Sequence, residues 1–114
     1  MKNAAMMLGT ISCCALSACS PSEAERVDPN LKCAALISAA NLLVSSGKAE
    51  NDAAFAKRAL VSSMTYLNAY AIPKGLKEAE AFDAVKSLRA SLIAELQPVE
   101  IMSSAKRCAE SSPR

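Results

Sequence analysis

The chain has 114 residues, with 13 Lys plus Arg, 11 Asp plus Glu, and no His or Trp. This length allows one domain beyond a leader. With basic pairs only at Lys57-Arg58 and Lys106-Arg107, nucleic-acid binding has little support. Without His the commonest general base and the commonest metal ligand are both missing, and two Phe and two Tyr are too few for a sugar- or base-stacking platform.

Met1-Lys2-Asn3 supplies one positive charge, and Ala4 to Ala18 carries none. That run is too short for a membrane span, which needs about 20 apolar residues. A charged start, a short apolar core and small residues before a cut site make a secretory signal. A conventional cut after Ala18 would put Leu16 where a small residue is wanted. Leu16-Ser17-Ala18-Cys19 instead resembles the lipobox of bacterial lipoproteins at every place. The resemblance covers residues 1–19. It implies a diacylglycerol thioether on Cys19, cleavage before it, and acylation of the new amine. The membrane is then a partner through acyl chains, each buried CH₂ contributing roughly 0.8 kcal/mol. Ser20 stands where Asp would retain a lipoprotein in the inner membrane of enteric bacteria, so a periplasm-facing place on the outer membrane is favoured. Cys13 and Cys14 act as small hydrophobes within the leader. Removing residues 1–18 leaves 96, with 12 basic and 11 acidic side chains.

Residues 19–28 read as the lipidated Cys and a polar tether, able to reach about 30 Å when extended. Asp28-Pro29 starts a first helix, since Asp suits the N-cap and Pro the first helical position. Its apolar stripe is Cys33, Leu36, Ile37, Ala40, Leu43 and Val44, and Gly47 ends it. A second helix is expected from about Asn51 to Ala71. Ala53, Ala56, Leu60, Met64, Leu67 and Ala71 form one face, and Phe55, Ala59, Tyr66 and Tyr70 a neighbouring strip. Ile72-Pro73-Lys74-Gly75 is the clearest break. A third helix is expected from about Leu76 to Leu96. Its stripe is Ala81, Val85, Leu88, Leu92 and Leu96 with Phe82 beside it, and Lys86 and Arg89 lie on its outer face. Pro98 opens a fourth helix to about Ala109, with Ile101, Ala105 and Cys108 on one face. Residues 111–114 are a tail. Strand and hairpin signals are absent.

The fold expected over residues 29–110 is therefore all-α, a small antiparallel four-helix bundle. In such a bundle the start of the first helix lies at the same end as the finish of the fourth. Cys33 and Cys108 sit at those places, and in an oxidising envelope they are expected to pair. The 75-residue separation makes this a staple rather than a redox motif.

No catalytic set is found. Ser103-x-x-Lys106 has one family's spacing without the rest of its signature, and three glycines cannot build a phosphate loop. Glu78, Glu80 and Asp83 suit the positive end of a helix dipole and need no metal. No cofactor and no metal site are expected. The expectation is a non-enzymatic lipoprotein acting as an interaction or accessory subunit of an envelope complex. The alternative is a small periplasmic chaperone or inhibitor, because size, helicity and the two-cysteine layout resemble acid-stress chaperones. The second helix is apolar over a wide arc, so Phe55, Tyr66 and Tyr70 are either ordinary core or, in the alternative, the candidate contacts for an envelope partner.

Overall fold

The computed structural model describes residues 27–112, so Cys19 and the lipobox lie outside the described residues. Four helices follow in order: α1 Pro29–Ser45, α2 Ala53–Lys74, α3 Glu78–Glu95 and α4 Pro98–Glu110. Among the described residues there is no strand. The protein is an all-α four-helix bundle.

Local chemistry sets the helix ends. Asp28 accepts from the Asn30 N–H at 2.8 Å, and Asp52 from the Phe55 N–H at 3.0 Å, so each carboxylate satisfies a first-turn donor that has no helical partner. At the start of α3, Glu80 reaches back to the Lys77 N–H at 2.8 Å; at the start of α4, Glu100 does the same to Gln97 at 2.9 Å. Gly47 and Gly75 have φ of 78° and 66°, the left-handed conformation that lets the Lys48 and Leu76 N–H groups close back on the Leu43 and Ala71 carbonyls. The break expected at Ile72 comes later. α2 runs through Pro73 to Lys74, and Gly75 stops it. In the final turn, the helical hydrogen bond that Pro73 cannot donate is a small loss.

α1 is the centre of the bundle. It packs extensively on each of the other three helices, which touch one another far less. Its burial is wider than the single stripe expected: Leu31, Ala34, Ala35 and Ala39 join Leu36, Ile37, Ala40 and Leu43 inside. A helix enclosed on three sides must be apolar nearly all round, and its alanines let the neighbours approach closely. Three ties link the helices. The Lys74–Asp28 ion pair, at 2.8 Å, sets the end of α2 against the start of α1. The Cys33–Cys108 disulfide sets the end of α4 there too, with Cα atoms 5.6 Å apart, an ordinary bridging distance. The Lys106–Asp52 pair, at 3.1 Å, joins α4 to the start of α2. The first two ties set α2 and α4 antiparallel to α1, and the short connections 75–77 and 96–97 make α3 run back along α1's direction.

Candidate functional site

The three aromatic residues singled out as partner contacts serve the bundle itself. Phe55 and Tyr66 are core, 5% and 6% exposed. The Tyr66 hydroxyl donates to the Cys108 carbonyl at 2.6 Å, and the Ser62 hydroxyl reaches the Ala109 carbonyl at 3.5 Å. Both carbonyls belong to the last turn of α4, where the helix leaves acceptors without partners. α2 thus caps the end of α4 beside the disulfide. Tyr70 is half-buried, and the Lys74 ammonium lies 4.8 Å from its ring centre while also pairing with Asp28. The contact role expected of Phe55 and Tyr66 is therefore corrected: this strip faces inward because it caps α4 and packs on α1. The most outward apolar residues of α2 are Leu60 and Val61, 71% and 69% exposed, while Leu67 and Ala71, on the same strip as Leu60, are buried.

The electrostatics of these ties are local. The Lys74 ammonium, with the Asn30 N–H, holds the Asp28 carboxyl below its ordinary pKa against some desolvation. The Phe55 N–H and then Lys106 do the same for Asp52. Burial pushes the Tyr66 hydroxyl above its ordinary pKa. Lys106, half of the Ser-x-x-Lys spacing, is held by Asp52 rather than by Ser103, which is exposed.

A groove opens between α2 and α3, because both pack on α1 and barely meet each other. Its volume is about 550 Å³, with Ala34 and Ser38 of α1 as its floor. Ser63, Met64 and Leu67 form the α2 wall, and Phe82, Val85, Lys86 and Arg89 the α3 wall. Arg89, expected on the outer face of α3, is instead half-buried and donates from Nη1 to Ser38 Oγ at 3.0 Å. Ser38 and Arg89 are the site residues the sequence did not single out. Their only signal was a lone serine in the otherwise apolar middle of the first helix. Among the described residues no cluster of three or more metal-ligand side chains forms, and no helix is long and apolar enough to cross a membrane.

No protein-family model matches the chain, and no curated protein and no solved structure matches it either.

Proposed function

We propose that the protein is a lipoprotein of the bacterial cell envelope. It would be held by acyl chains on Cys19 and face the periplasm, with the outer membrane favoured, as a non-enzymatic interaction or accessory subunit. The observation that carries this is Leu16-Ser17-Ala18-Cys19, placed directly after a short uncharged apolar run with one charge before it. Two structural features are in keeping with it. A disulfide between Cys33 and Cys108 suits an oxidising compartment. The row Leu60 and Val61 gives α2 an outward apolar surface for a partner, in place of the aromatic strip.

Fractionating cells that express the chain with and without Cys19→Ser tests the anchor. The parent chain should sediment with membranes and leave them only in detergent. The Cys19→Ser chain should lose that detergent requirement. Equal membrane retention of both chains would count against an acyl anchor at Cys19.

A further inference from the structure

The groove between α2 and α3 is chemically graded from apolar to cationic. Along α3, Phe82 and Val85 lie toward one end and Arg89 toward the other, a span of about 10 Å of helix. Met64 and Leu67 face them across the gap, so this length is lined by apolar side chains. Arg89 closes the graded run. Its guanidinium is steadied by Ser38, it has no carboxylate partner among the described residues, and no carboxylate lines the groove. A guanidinium has five donors in a planar fork, and the bond to Ser38 leaves most of them free. Lys86 stands on the same wall, with only a loose 3.9 Å pairing to the exposed Asp83.

An apolar trough that ends at an unpaired, half-buried guanidinium is complementary to a single apolar tail ending in a carboxylate. We propose that this groove binds a fatty acid, with its tail along Met64, Leu67, Phe82 and Val85 and its carboxylate on the Arg89 fork. Arginine suits that head because two parallel N–H donors match two carboxylate oxygens. The volume, about 550 Å³, lies within the range of about 300–1,000 Å³ usual for small-molecule sites. The inference does not rest on an anchor at Cys19.

The test uses the full chain with Cys33–Cys108 formed and with Cys19→Ser, so that no acyl group of its own can compete. Methionine methyl groups are labelled with ¹³C, and the Met64 signal is assigned by Met64→Leu. Met64 lines the groove and Met102 is buried elsewhere, so one reports on the site and the other on the fold. Sodium decanoate should shift the Met64 signal saturably and leave Met102 in place. Arg89→Gln should weaken decanoate binding about tenfold. Arg89→Lys, which keeps the charge but loses the fork, should fall between the parent and Arg89→Gln, and Ser38→Ala, which removes only the bond that steadies the guanidinium, should stay within a few-fold of the parent. Decanol should bind more weakly and be indifferent to Arg89→Gln. The proposal fails if Met64 does not respond, or if decanol and decanoate bind alike in parent and variant. It also fails if the Met64 signal moves on dilution without any ligand, because a second copy of the chain would then be covering the groove.

Discussion

Tyr66 shows how much one side chain can carry in an alanine-rich bundle. Its ring fills core between α2 and α1, and its hydroxyl satisfies a carbonyl at the end of α4. Tyr66→Phe keeps the ring and removes the donor, leaving a buried acceptor without a partner. The expected loss is about 1–2 kcal/mol at neutral pH, measured by denaturant melts of the oxidised chain. The pH dependence has a definite sign. The folded-state pKa of Tyr66 is raised, so its stabilisation is full below the unfolded value of about 10 and is lost as pH rises past it. Tyr66→Phe should therefore also flatten the alkaline fall in stability. An unchanged melt at pH 7 would mean that the hydroxyl bond contributes nothing net. At the same scale, Ser38 and Arg89 make a polar contact between helices from two residues that look unremarkable in the sequence. A serine between Ile37 and Ala39 and an arginine among surface charges gain meaning only when α1 and α3 lie side by side.

The helices differ in how clearly their sequences declare their faces. Most helix ends were legible, because Asp28-Pro29, Gly47 and Pro98 each act through a local backbone requirement that needs no knowledge of neighbours, whereas α2 runs past its expected end at Ala71 to Lys74. The inward faces of α3 and α4 were legible too, since leucine, valine and isoleucine there recur at helical spacing against charged residues. α1 and α2 were only partly so. α1 is apolar nearly all round, which states burial on several sides but not which neighbours it meets. α2 carries two apolar strips, and Leu60-Met64 follows the helical period as well as Phe55-Ala59-Tyr66 does. The bundle divides them by position rather than by strip: Phe55, Ala59 and Tyr66 are buried with Leu67 and Ala71, Leu60 and Met64 are exposed, and Ser62 and Tyr66 donate to the end of α4. The contrast can be measured. Ala39 of α1 is fully buried and Leu60 of α2 is 71% exposed. Ala39→Leu forces extra volume into packed helix contacts and should cost about 1–3 kcal/mol. Leu60→Ser should change stability by no more than about 0.5 kcal/mol. The reverse order in denaturant melts would contradict this division into inward and outward positions.

At the scale of the whole molecule, a central helix with three others around it and few contacts among those three makes a thin core. The Cys33–Cys108 bond closes a 75-residue loop and ties the start of α1 to the end of α4. The chain-entropy model assigns such a loop about 4 kcal/mol, a large share of the roughly 5–15 kcal/mol typical of a domain. That bond could be expected from sequence because it needed only the up-down-up-down order and the positions of two cysteines. The groove could not, because it exists where two helices fail to meet, and no periodicity within either helix records that. The proposed address rests on the first 19 residues and the fold on residues 29–110, so one chain-level measurement can weigh both. It is the intact mass of the protein extracted from membranes, with and without reductant. The expected result is a chain beginning at Cys19, heavier by its acyl groups, that gains two hydrogens on reduction. A chain without lipid, or one that begins elsewhere, would contradict the anchored lipoprotein. An unchanged mass on reduction would contradict the Cys33–Cys108 staple.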